Sequence, residues 1–150
     1  MKKITIVGLG QGPESLSRAA QEELLGAKKL FIQTSMHPSI KWIDEKEIKY
    51  TAMDDLYEAA DDFDELNAAI IKRLVDAAPA VYAVAGQGVM GQSVISDLAK
   101  SKCALSFIPA PGIEAYALGE AVKLGVAADG AVMYIPALRA TDMKPCLDAV

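Results

Sequence analysis

Lys3-Ile4-Thr5-Ile6-Val7-Gly8-Leu9-Gly10-Gln11-Gly12-Pro13 is a β-branched apolar run that breaks abruptly into glycines. Branched side chains favour a pleated backbone and glycines release it, so the run reads as a strand and the glycines as a turn. Helical spacing starts directly afterwards, where Leu16, Ala19, Ala20, Glu23 and Leu24 recur over 14–25. Strand, loop and helix thus follow one another within the first 25 residues.

The same order repeats downstream. Residues 29–33 form a second short strand, 34–38 a polar loop and 39–44 a helix opened by Pro38. A brief third strand is expected at 48–50, and 52–62 is acidic and broken. Phe63, Leu66, Ala69, Ile70, Leu74 and Val75 then draw an amphipathic helical stripe that must end before Pro79. Residues 80–85 are continuously apolar, as a strand buried on both faces of a parallel sheet requires. They run into Gly86-Gln87-Gly88 and a helix over 89–100. A strand at 104–108, a Pro-Gly turn and a helix at 113–124 stopped by Gly125 complete the series. This alternation predicts an α/β fold, a mostly parallel sheet with helices on both faces. The α/β domain is expected over 1–128, with 129–150 as a linker or the start of a truncated second domain.

Composition narrows the function. With 150 residues and 52% hydrophobic side chains the chain can bury a substantial core. Its net charge of -5 is spread along the sequence without a basic cluster, which argues against nucleic acid as a partner. The apolar run after Met1-Lys2-Lys3 is too short for a signal peptide, and no stretch approaches the ~20 apolar residues of a membrane span. A cytoplasmic protein without membrane contact is expected. Cys103, assigned to a strand, and Cys146 have neither CxxC spacing nor histidine neighbours, so reduced thiols and no metal are expected.

In an open parallel sheet, ligands settle outside the carboxyl ends of the strands, where the glycine-bearing loops gather. The first loop fails the nicotinamide fingerprint: Pro13 stands where the third glycine belongs, and Gln33-Thr34-Ser35 where a ribose-binding acid belongs. The second, Gly86-Gln87-Gly88-Val89-Met90-Gly91-Gln92-Ser93, has P-loop spacing with Gln92 in place of the phosphate-binding lysine. In the third, Pro109-Ala110-Pro111-Gly112-Ile113-Glu114, the carboxylate of Glu114 reads as a helix-starting charge. His37, the single histidine, is expected to face solvent and cannot complete a Ser-His-Asp triad. Asp54-Asp55 and Asp61-Asp62 read as solvated, helix-opening charges rather than metal ligands. No catalytic residue is assigned.

Taken in order, Val7-Gly8-Leu9-Gly10-Gln11-Gly12, Ala85-Gly86-Gln87-Gly88 and Pro111-Gly112-Ile113-Glu114-Ala115 resemble the VGxGPG, GDP and PGI loops of the tetrapyrrole (corrin/porphyrin) methylase family, over Ile4 to about Gly125. Gln33-Thr34-Ser35-Met36-His37-Pro38 with Asp54-Asp55-Leu56-Tyr57 is most similar to the methylase-like domain found joined to a MazG nucleotide pyrophosphohydrolase. The resemblance implies the N-terminal domain of a methyltransferase that uses S-adenosylmethionine, with the donor in a cleft between two α/β domains. It places Gln11, Ala85, Gly86, Gln87, Met90, Glu114 and Ala115 at donor-contacting positions. The chain departs from the pattern at Gln11, Gln87, Gly88 and Glu114. The implied partners are a small-molecule substrate of the tetrapyrrole class and either a second copy or a second domain; the 150 residues alone are expected to be inactive. The other reading is a non-catalytic binding or regulatory domain associated with a MazG-type hydrolase. MazG chemistry in the chain itself is not expected, since Glu22-Glu23 has no accompanying acidic set.

Overall fold

The computed structural model describes residues 2–89 and 93–125. Strands β1 (Lys3–Gly8), β2 (Leu30–Ile32), β3 (Thr51–Ala52), β4 (Ala80–Val84) and β5 (Ala104–Ile108) form one sheet in the order β3-β2-β4-β1-β5. Every pairing is parallel: β1 sets Ile4 against Ala80 on one side and against Leu105 on the other. The helices are α1 (Arg18–Gly26), α2 (Ile40–Glu45), α3 (Asp54–Ala59), α4 (Phe63–Ala77), α5 (Ser93–Leu98) and α6 (Ile113–Lys123).

Alternation along the central strands divides the core into two layers. Ile4, Ile6, Phe31, Ala80, Tyr82 and Val84 pack with Leu66, Ile70 and Leu74 of α4 and Val94, Ile95 and Leu98 of α5. Val7, Leu30, Ile32, Val81 and Ala83 pack on the other face with Ala20 and Leu24 of α1 and Ile40 and Ile43 of α2. Both faces are therefore covered, which is why β4 reads as an unbroken apolar run and β1 as one interrupted only by the buried Thr5. The helix after β1 and the helix after β4 leave on opposite faces, so the β1/β4 boundary is the sheet's topological switch point, where a crevice opens at the carboxyl ends.

Several local expectations shift. The helix placed at 14–25 divides into a 3-10 turn at Pro13–Ser15 and α1, whose N-cap Ser17 accepts from the Ala20 N–H. The third strand lies at Thr51–Ala52 instead of 48–50: Ile48 and Tyr50 pack on the core, but only Thr51 and Ala52 pair with β2. The segment 52–62 contains α3, opened by Asp54 and Asp55 beneath the fully buried Met53. Acidic residues of a first helical turn, stabilised by the helix dipole, imitate a loop in composition. Among the described residues the helix expected over 89–100 is Ser93–Leu98, and Cys103 precedes β5. Met90, Cys146 and the linker or truncated second domain expected at 129–150 lie outside the described residues.

Candidate functional site

At the carboxyl ends of the strands, main-chain hydrogen bonds sew the loops together. Leu9 N–H donates to Val84 O (2.8 Å), Gly10 N–H to Gly86 O (2.9 Å) and Gly86 N–H back to Gly10 O (3.1 Å), an antiparallel bridge between the first two glycine loops. Ala110 N–H donates to Gln87 O (3.3 Å), which brings in the loop after β5. Pro111 O lies 3.4 Å from where a Cβ on Gly10 would stand. Ser15, buried under the first loop, accepts from Gln11 N–H (3.3 Å) and meets the Tyr116 hydroxyl of α6 at 3.5 Å. The loops separated by sequence thus converge on Gly8 and Gly10.

The structure brings Gln11, Ala85, Gly86 and Gln87 onto this one rim, with Glu114 and Ala115 on the first turn of α6 beside it. Gly86 has φ +68, and a side chain there would meet nothing within 4 Å, so its backbone faces open space that a ligand can approach directly. The carboxylates of Glu14 and Glu114 fold back over Gly12 and Gly112. Negative charge at these turns opposes a pyrophosphate and suits a cationic ligand. Among the described residues no group of three His, Cys, Asp or Glu is placed to hold a metal ion.

The segment after β2 departs most from expectation. His37 does not simply face solvent: its Nε2 lies 3.1 Å from Gly10 O, and its Nδ1 accepts from Ser39 N–H (3.1 Å). The fully buried Ser39 donates its hydroxyl to Leu9 O (3.2 Å). Gln33 accepts the Ala85 N–H on Oε1 (3.0 Å) and donates from Nε2 to Tyr57 Oη (3.2 Å). Gln33 and Ser39 were not singled out by chemistry in the sequence; the available signal was a run of short polar side chains directly after an apolar strand.

Asp54 and Asp55 open α3, yet neither is merely solvated. Asp54 accepts from Thr34 Oγ1 (2.7 Å) and Ser35 N–H (2.8 Å), and these bonds hold its carboxyl below the ordinary carboxylate range. Asp55 takes a bidentate pair of bonds from Arg73 of α4 (2.8 and 2.6 Å), which lowers it likewise. Asp62 caps α4 as expected, accepting from Asp64 and Glu65 N–H. Because Asp54 is lowered on folding, its stabilisation is full above the unfolded value of 3.8 and is lost as pH falls through the folded one. Asp54→Asn is therefore expected to cost on the order of 1 kcal/mol at pH 7, with the gap to the parent closing below about pH 4. Urea midpoints measured from pH 7 to pH 2.5 test this.

A groove of about 480 Å³ opens between α3 and the start of α4, lined by Tyr57, Ala60, Asp61, Phe63 and Leu66. None of the described glycine-loop residues line it, and Tyr57 connects it through Gln33 to Ala85.

No helix among the described residues is long and apolar enough to cross a membrane. No family model matches the chain. Over 97 residues it is 32% identical to the uncharacterized protein YabN of Bacillus subtilis (strain 168), covering 62% of this chain and 20% of that protein. Its fold is shared with uroporphyrin-III C-methyltransferase from Thermus thermophilus (TM-score 0.54, 18% identity, 87% of this chain and 55% of that one). Diphthine synthase (TM-score 0.55, 15% identity, 77% and 47%) and the cobalamin biosynthetic enzyme cobalt precorrin-4 methyltransferase CbiF (TM-score 0.54, 17% identity, 89% and 53%) have it too. The chain spans about half the length of these solved structures and a fifth of the relative. The expected α/β class, with a parallel sheet between helices, is the class observed.

Proposed function

We propose that this chain forms the donor-binding wall of an S-adenosylmethionine-dependent methyltransferase of the tetrapyrrole methylase type. The observation that carries the reading is the Gly10–Gly86 bridge at the β1/β4 switch point, in a fold shared with two methyltransferases. Gly86 leaves its backbone open at that bridge, so Ala85, Gly86 and Gln87 can hold the donor largely through main-chain groups, with Gln11, Glu114 and Ala115 completing the wall. The bound donor supplies an electrophilic methyl on a sulfonium; the chain supplies alignment.

Such a transfer is an in-line displacement in which orientation matters more than proton transfer. A site of backbone groups without an acid–base pair suffices for it. The carboxylates at Gly12 and Gly112 also favour a cationic sulfonium over the phosphates of a dinucleotide. A small molecule of the tetrapyrrole class is the acceptor that this reading implies.

Calorimetric titration of S-adenosylmethionine into the full-length natural protein carrying these residues is expected to show one site with a dissociation constant of about 1–100 μM. NADH and ATP are expected to give no heat. Absence of donor binding sinks the proposal.

A second reading, a non-catalytic regulatory domain working beside a MazG-type hydrolase, draws on Gln87, Gly88 and Glu114 replacing the residues of the family loops. Methylation by the full-length protein would exclude it, whereas donor binding without transfer would favour it.

A further inference from the structure

We infer that His37, which is not among the donor-contacting positions, is the positioning residue that sets the separation of the two glycine lips. Gly10 O receives both Gly86 N–H and His37 Nε2, each at 3.1 Å. A carbonyl oxygen has two lone pairs, so this one is saturated and its place is fixed from both sides.

The chemistry of the ring is fixed as well. A backbone N–H can only donate, so Ser39 N–H occupies the lone pair of Nδ1 and the proton sits on Nε2, the atom that must donate to Gly10 O. Ser39 Oγ holds the adjoining Leu9 carbonyl from the same turn. The grip therefore acts on two successive carbonyls of the first loop.

The second lip is referenced to the same segment. Gln33 takes Ala85 N–H, while Gly86 N–H reaches Gly10 O and, through it, His37. Both amides of that turn are thereby measured from residues 33–39, which are themselves anchored through Thr34 and Ser35 to Asp54. A loop with no glycine of its own aligns the two that have them.

The two nitrogens can be tested apart. Counted in bonds from Cα, Nε2 of glutamine matches Nε2 of histidine, whereas Oδ1 of asparagine matches Nδ1. His37→Gln keeps the donor for Gly10 O, and His37→Asn keeps only the acceptor for Ser39. His37→Phe keeps the ring volume and neither.

Amide hydrogen exchange at Gly86 is expected to stay within about threefold of the parent in His37→Gln and to accelerate about tenfold or more in His37→Asn and His37→Phe. Affinity for S-adenosylmethionine, which rests on the donor-site reading, is expected to follow the same order with about a tenfold loss. If His37→Phe fails to fold, the Gln and Asn variants decide alone. Equal exchange at Gly86 in those two overturns the inference. Exchange in the expected order with no donor binding by the parent leaves the positioning role standing and removes only the donor.

Discussion

Gly8→Ala is expected to lower stability by about 3 kcal/mol or more and to abolish binding of the proposed donor. A Cβ at residue 8 would stand 2.5 Å from Gln87 O, 2.7 Å from Gln87 C and 2.8 Å from Ala110 N. All three are backbone atoms of the neighbouring loops, so no side-chain rotation relieves the overlap. The loops after β4 and β5 would have to move away from β1. That movement pulls on the Ala110–Gln87 bond and on the bridge between Gly10 and Gly86 one turn further out. The control is Gly26→Ala at the end of α1, where a Cβ meets nothing within 4 Å. There, loss of unfolded-chain entropy predicts a stability gain of up to about 1 kcal/mol. Urea unfolding followed by far-ultraviolet dichroism distinguishes the two; a Gly8→Ala midpoint equal to the parent's would contradict the close approach.

The same convergence explains which parts of the fold were legible. The predominantly apolar, β-branched run at β1 and the unbroken apolar run at β4, each leading into glycine and followed by helical spacing, suffice to read a doubly covered parallel sheet. What misled was the stretch between β2 and α4. Met53, Leu56 and Ala60 lie at helical spacing and pack on the core, but so short a stripe is submerged among Asp54, Asp55, Glu58, Asp61 and Asp62, so α3 reads as an acidic, broken stretch. Its Asp54 and Asp55 are held by Thr34, Ser35 and Arg73, partners 18 to 20 residues distant. Local periodicity carries no trace of bonds of that range.

The site divides along the same line. Glycine loops announce themselves because a backbone that turns sharply or approaches another backbone needs glycine there. The frame that holds them does not, because Gln33, His37 and Ser39 bond to main-chain atoms whose own side chains are irrelevant to the contact. A lone loop histidine is ordinarily solvent-facing, and only the parallel placement of β2 beside β4 carries residue 37 to Gly10. Sequence motifs thus located the lips, and topology located what sets their spacing.

Helix α4 shows how far a hydrophobic stripe can be trusted, and Ile70→Ala is expected to cost about 2–5 kcal/mol. Ile70 is 0% exposed and packs with Leu66 and Leu74 against the Ile4, Ile6 and Tyr82 face of the sheet. Truncation removes buried methylene surface and leaves a cavity in a layer flanked by β1 and β4, which have little freedom to collapse into it. Phe63, at the head of the same sequence stripe, is 62% exposed on the rim of the α3/α4 groove. Phe63→Ala is therefore expected to cost less than about 1 kcal/mol. The helix turns its first residue outward because Asp62 caps it and its buried stripe starts only at Leu66. Asn67 then bonds Ser93 of α5 at 2.9 Å, so loosening this layer also slackens the helix that follows the second glycine loop. Ile70→Ala should accordingly weaken binding of the proposed donor about two- to fivefold in protein that is still folded, as even 0.5–1 kcal/mol of lost preorganisation requires. Paired measurement of urea midpoints and calorimetric affinity for the two variants checks both halves: equal destabilisation would refute the facing of α4, and unchanged affinity in Ile70→Ala would separate the core layer from the rim.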